Sequence, residues 1–186
     1  MLSRFINLNV LKTYPKLIAL SILILSLLAP IPSHGAKGYR YWGYFQAAPK
    51  ATAWTAAMTG PTVDIADGSV EGWAFTFSSE AIPDATSPSV LPDFQSICGK
   101  TRAVAGKKRI AIVIDFGADY LSPTGEKPLK TVKRCITIDK KAQGIDVLGK
   151  VVRVRGDKSG LICGLGGYPR KECGVEIPTP AALITK

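Results

Sequence analysis

Arg109 to Phe116 reads RIAIVIDF, with five apolar residues in unbroken succession from Ile110 to Ile114. Side chains of a strand alternate between two faces, so a run that is apolar at both parities needs cover on both sides. Its shortness and its β-branched residues favour a strand over a buried helix. The segment is therefore read as the central strand of a sheet, and the other elements are placed around it.

Downstream, residues 120–130 (YLSPTGEKPLK) hold two prolines and a glycine and read as a loop. Thr131 to Asp139 (TVKRCITID) returns as a strand with Val132, Ile136 and Ile138 on one face. From Ala142 the period lengthens. Ile145, Leu148 and Val152 fall at i, i+3 and i+7, so a short helix is expected, although Gly144 and Gly149 each weaken it by roughly 1 kcal/mol relative to Ala. A last strand runs from Leu161 to Leu165 into Gly166-Gly167-Tyr168-Pro169, and residues 179–186 read as a polar tail. The glycines at 164–167 open no helix and precede no Lys-Ser or Lys-Thr, so they make a turn rather than a phosphate loop.

Upstream, Asp93 is placed to cap a short helix through Ile97. The stretch 82–93 (IPDATSPSVLPD) is too polar and too broken by proline for a core, and a linker is expected over 82–95. Val70 to Ser78 (VEGWAFTFS) is a strand with the core residues Trp73, Phe75 and Phe77 opposite the small Gly72, Ala74 and Thr76. It follows an Asp67-Gly68 turn, and Trp54 lies in a strand that ends at Gly60-Pro61. Tyr39 to Phe45 (YRYWGYF) puts Tyr39, Tyr41 and Phe45 on one face and Arg40, Trp42 and Tyr44 on the other. An arginine rarely shares a buried face, so Arg40, Trp42 and Tyr44 are expected to contact a ligand. The sum is one small α+β domain over 36–178, mainly antiparallel, with about six strands and one or two short helices. It divides into an aromatic meander over 36–81, the linker, and a disulfide-bonded half over 96–178.

Residues 1–16 carry Arg4, Lys12 and Lys16 without an acid, and Leu17 to Ala29 is a thirteen-residue uncharged run closed by Pro30 and Pro32. A spanning helix needs about 20 apolar residues. The layout is that of a secretory signal over 1–35, with Ser33 and Gly35 before a cleavage at Ala36. An uncleaved N-terminal membrane anchor is the alternative. The even set Cys98, Cys135, Cys163 and Cys173 in an exported chain argues for two disulfides. Of three possible pairings, Cys163–Cys173 closes a short Gly/Pro-containing loop and Cys98–Cys135 joins segments flanking the apolar strand, so these two are favoured. A four-thiolate zinc site lacks any C-x-x-C spacing, and no metal or cofactor is expected.

The only histidine, His34, precedes the expected cut. The exported part then lacks the commonest general base and metal ligand, which excludes Ser-His-Asp, Cys-His and His-metal chemistry. Asp64, Asp67, Glu71, Asp115 and Asp119 are scattered, and no local spacing pairs two of them for glycoside cleavage. No catalytic residue is assigned. Charge is divided: residues 36–99 hold three basic and six acidic groups, whereas 100–171 hold seventeen basic and six acidic. The second half can attract anionic polymers or membranes, while export removes nucleic acid as a partner.

Several of these segments together resemble small exported actinobacterial proteins to which no activity is assigned. They are Arg40-Tyr41-Trp42-Gly43-Tyr44, Trp54, Asp67-Gly68-Ser69-Val70-Glu71-Gly72-Trp73, Ile97-Cys98-Gly99, Val113-Ile114-Asp115-Phe116-Gly117, Gly160-Leu161-Ile162-Cys163, Gly167-Tyr168-Pro169 and Cys173-Gly174. Phe45 stands where an aromatic, often Trp, is expected, and Ala47-Ala48-Pro49-Lys50-Ala51 replaces a Gly-rich turn. Segments 109–116, 131–152, 161–168, 40–45 and 67–77 are also similar to the successive parts of transcobalamin-like C-terminal β-domains, with the last two moved to the front. That second resemblance implies a circularly permuted, β-grasp-like sheet packed on a short helix. It further implies a binding module for a corrinoid or other vitamin-like ligand passed to a membrane uptake system, with Arg40, Trp42, Tyr44, Trp54 and Tyr168 as the contacts. The rivals are a cell-envelope protein held on anionic polymers by its basic half, and an enzyme of cell-wall carbohydrate using Glu71 and Asp115.

Overall fold

The RIAIVIDF run lies inside a mixed sheet in a computed structural model of the protein, which describes residues 36–184; the signal-peptide reading of 1–35 falls outside those residues. In chain order the elements are β1 (Lys37–Ala47), β2 (Thr55–Ala56), β3 (Val70–Ser79), α1 (Phe94–Cys98), β4 (Lys107–Asp115), a 3-10 turn (Asp119–Leu121), β5 (Val132–Asp139), α2 (Gly144–Val151), β6 (Val154–Gly156), β7 (Ile162–Leu165), β8 (Val175–Pro178) and α3 (Ala181–Ile184). The main sheet runs β2-β1-β3-β4-β5, with β8 on the free edge of β1, and β6 and β7 form a separate ribbon. The domain is α+β, and all pairings but one are antiparallel.

Strand β4 is covered on both faces, as its composition requires. Ile110, Ile112 and Ile114 join Trp42, Trp73 and Phe75 in the larger core, closed by Val147 and Leu148 of α2 and by Leu165 and Tyr168. Ala111 and Val113 face the other way, against Ala47, Val70 and Cys98. Each fully buried aliphatic or aromatic side chain contributes about 1.5–3 kcal/mol. Helix α2 offers Gly144, Val147 and Leu148 to the core, so the buried seam is shifted from the expected Ile145, Leu148 and Val152. The disulfides are Cys98–Cys135 and Cys163–Cys173, the favoured pairing.

Three expectations are corrected. The first segment is not a meander: β2 pairs with Phe45 and Gln46 on the outer edge of β1, and β3 takes the inner edge. Trp54 precedes β2 and lies in no strand. The stretch 82–95 is no free linker, because β3 and β4 run parallel and parallel neighbours need a long crossover. That crossover is laid on the smaller core. Trp54 Nε1 donates to the Val90 carbonyl at 2.8 Å, Thr86 N–H to Thr76 Oγ1 at 2.9 Å, and Ser89 N–H to Asp115 Oδ2 at 2.8 Å. Finally, the chain past Cys173 is not loose: β8 pairs with Lys37–Arg40, Thr179 N–H donates to the Ala36 carbonyl at 2.8 Å, and Leu183 of α3 packs on the core.

Candidate functional site

The alternation read in β1 holds, but the face of Arg40, Trp42 and Tyr44 is a core face rather than an open one, and Phe45 on the opposite face is buried as well. Trp42, Tyr44 and Tyr168 are buried members of the larger core. Trp42 lies edge-on to Phe116 with ring centroids 5.3 Å apart and donates from Nε1 to the Tyr168 carbonyl at 3.2 Å. Tyr44 stacks on Trp73 at 4.7 Å. Arg40 shares their face because Glu172 neutralises it: Nε donates to Glu172 Oε2 at 2.7 Å and Nη2 to Oε1, while Nη1 reaches the Leu121 and Ser122 carbonyls. A charge paired and hydrogen-bonded in this way can border a core. Trp54 closes the smaller core over Gly72, where a Cβ would fall 2.6 Å from its ring. The five expected ligand contacts are thus spread through packing and joinery and form no common open surface.

The carboxylates also separate. Glu71, 1% exposed, accepts the Tyr44 hydroxyl proton in a hydrogen bond, and Gln46 Nε2 donates to Tyr44 Oη at 2.9 Å. Burial raises the Glu71 pKa, against the opposing hydrogen bonds from Tyr44 and Gln46 and the charge of Lys108; burial and the neighbouring Glu71 push the Tyr44 phenol up. Lys108 is itself buried and donates to the Ile65 carbonyl at 2.7 Å. Asp115 pairs across from Ala74, on the sheet face opposite Trp73 and Glu71, and there it accepts from Ser89 and from Gly117 N–H. Two carboxylates on opposite faces of one sheet cannot flank a glycosidic bond, so the Glu71–Asp115 pairing is corrected. Asp157 lies close to the sulfurs of Cys163 and Cys173, but a disulfide offers no thiolates to a metal.

Among the open concavities is a cleft of about 490 Å³ between β6, β7 and the turn after them. Arg153, Arg155 and Arg170 line it over a floor that includes Gly156, Gly164 and Gly167, and no carboxylate is among its lining residues. Arg153 and Arg155 are two positions apart in extended chain, which points both to one side. Arg155 is fixed: its Nη2 is shared among the carbonyls of Cys163, Pro169 and Glu172 at 3.1, 2.9 and 2.7 Å. It pairs across from Gly164, where a Cβ would lie 3.0 Å from that nitrogen and 2.9 Å from the Pro169 carbonyl. Any side chain at 164 would lift the guanidinium out of place. Arg170, 66% exposed, donates to the Gly125 carbonyl and sits 3.6 Å from Glu126. Gly167 and Arg170 also border a second cavity of about 250 Å³, which extends the cleft.

The SCO2322-like domain matches residues 34–178, which run from just before β1 to the last residue of β8 and include all four cysteines. The chain belongs to that family. Membership is consistent with the resemblance to small actinobacterial proteins to which no activity is assigned. No curated protein and no solved structure matches the chain. Two disulfides fit an oxidising compartment, and no helix among the described residues is long and apolar enough to cross a membrane.

Proposed function

We propose that this member of the SCO2322-like domain family is an exported, non-catalytic binding module that attaches to anionic cell-envelope polymers through its basic half. The observation that carries the reading is the cleft of Arg153, Arg155 and Arg170, an open concavity lined by three guanidinium groups and no acid. The excess charge of 100–171 surrounds it in sequence and supplies a longer-range attraction. The buried aromatic residues leave charge as the main recognition chemistry of that half. The test is co-sedimentation of the protein with isolated cell walls across a salt series. Attachment should be strong at low salt and lost over a few hundred millimolar, as screening shortens the range of the field. Attachment that ignores salt, or none at low salt, overturns the reading.

A vitamin-like ligand handed to a membrane uptake system is a second reading, favoured by a cleft of about 350 Å³ on the smaller core beside Lys50, Val70, Leu91 and Phe94. Its apolar lining suits an organic ligand, and its volume lies at the low end for a ligand site, so a corrinoid would lie across its mouth with only one part inside. Saturable, salt-indifferent binding of cobinamide would favour this reading over the first.

A further inference from the structure

We infer that the cleft of Arg153, Arg155 and Arg170 is a phosphate site, and that its ligand is a phosphodiester polymer lying along the groove; this rests on the envelope-polymer reading above. Number and geometry of donors select the anion. One guanidinium already satisfies a carboxylate through two parallel hydrogen bonds. A carboxylate holds its two oxygens in one plane, whereas the two non-bridging oxygens of a phosphodiester diverge from a tetrahedral centre with the ester oxygens beside them, a shape that suits three guanidinium groups reaching one cleft from different positions.

The three arginines have different parts. Arg155 is the fixed post: with Nη2 spent on three carbonyls, its Nε and Nη1 have no partner among the described residues and keep one orientation. Its rotamer entropy is already lost before a ligand arrives, which favours binding. Arg153 is exposed, and while its carbonyl accepts from Gly166 N–H at 2.9 Å its side chain has no hydrogen bond or ion pair among the described residues, so the guanidinium is free to close on an anion. The Arg170 head is exposed and lies a loose 3.6 Å from Glu126, whose carboxylate is held instead by the Arg170 backbone N–H at 3.0 and 3.2 Å, so the guanidinium can turn to a phosphate while Glu126 stays in place. Glycines at 156, 164 and 167 keep the floor low. The adjoining cavity shares Gly167 and Arg170 and adds Lys127 and Glu126, so a second repeat of a polymer would meet Lys127 on the side away from that acid.

The experiment is titration calorimetry at low salt with three probes: inorganic phosphate, a glycerol-phosphate oligomer, and a polycarboxylate of equal charge density. The wild-type protein is compared with Arg153→Gln/Arg170→Gln, whose exposed positions leave the fold intact, and with Lys140→Gln/Lys141→Gln on the turn after β5. The oligomer should bind at least about tenfold more tightly than the polycarboxylate. The arginine variant should lose roughly tenfold per guanidinium, and its salt dependence should flatten by about 1 per lost contact in a plot of log K against log salt. If it weakens no more than the lysine variant, the cleft assignment falls and general attachment by the basic half survives. Equal affinity for the two polymers removes phosphate selectivity. Inorganic phosphate bound as tightly as the oligomer makes free phosphate the ligand and removes the polymer. A wild type that binds none of the three overturns both this inference and the reading beneath it.

Discussion

Replacing Gly144 and Gly149 by alanine, one at a time, tests the packing of α2 because both lie in the same eight-residue helix. Helix propensity alone favours either change by about 1 kcal/mol. Gly149 is exposed and a Cβ there has nothing within 4 Å, so Gly149→Ala should gain that amount. At Gly144 a Cβ would stand 2.7 Å from Tyr44 Oη and 3.1 Å from both Glu71 Oε2 and the Pro61 carbonyl. Those neighbours are tied to one another or to backbone: Tyr44 to Glu71, and the Pro61 carbonyl to the Ile145 N–H at 2.8 Å. Inserting a methyl among them carries an overpacking cost of about 1–3 kcal/mol. Gly144 is the first residue of the helix and Gly149 lies inside it, so the propensity gain at 144 is no larger than at 149, and the difference between the variants is at least the overlap, about 1–3 kcal/mol. For a domain of this size that separates the melting temperatures by roughly 2–12 °C. Urea and thermal unfolding with both disulfides intact measure it. If Gly144→Ala is as stable as Gly149→Ala, the approach of α2 to the Tyr44–Glu71 pair is wrong.

Glu71 gives a pH dependence of known sign. A carboxyl whose pKa is raised by burial binds more protons folded than unfolded, so its contribution is fully present below its unfolded pKa and is lost as pH rises through the folded one. The stability of wild type relative to Glu71→Gln should therefore fall as pH rises from about the ordinary carboxylate range, and a difference that does not vary with pH, followed by urea midpoints, refutes the burial of a titrating group. The two crosslinks should also differ. Loop-closure entropy gives about 4 kcal/mol for Cys98–Cys135, 37 residues apart, and about 3 for Cys163–Cys173, 10 apart. Paired Cys→Ala variants should rank in that order by unfolding midpoint, and the reverse order counts against the model of denatured-state constraint.

Local pattern made part of the fold legible. The two-faced apolar run of β4 and the alternation of β3 need only neighbours in sequence, and both appear where their periods place them. Nonlocal register was not legible. The parallel contact of β3 with β4 depends on a crossover whose prolines and serines look like a linker until Asp115 and Thr76 accept its N–H groups. Strand β8 (VEIP) is short and carries a charge and a proline, so nothing but pairing with β1 reveals it. Arg40 misled for the same reason: its partner, Glu172, is 132 residues away. The charge asymmetry pointed to the right half for the candidate cleft but to none of its residues. A usable signal was the Arg-Val-Arg spacing at 153–155 ahead of a glycine-rich turn ending in Pro169-Arg170.

The distribution of aromatic and charged residues then constrains what recognition is available. Trp42, Tyr44, Trp73, Phe75, Phe116 and Tyr168 all interlock in one core, and their contacts are with each other. Exposing any of them to a planar ligand would forfeit packing worth several kcal/mol, a large share of the 5–15 kcal/mol that holds a domain together. Arg153 and Arg170 face no such conflict, because their heads are solvated already and the surface contacts that Arg170 makes, to the Gly125 carbonyl and Glu126, are of small worth. Arg155 serves both ends: its carbonyl contacts hold the Cys163–Cys173 loop against β6, and the same contacts fix the rest of its guanidinium in the cleft proposed as a phosphate site. On that proposal the short disulfide bears on binding as well as stability, since a loop free to open would release the Pro169 and Glu172 carbonyls and with them the one arginine that the cleft does not need to order.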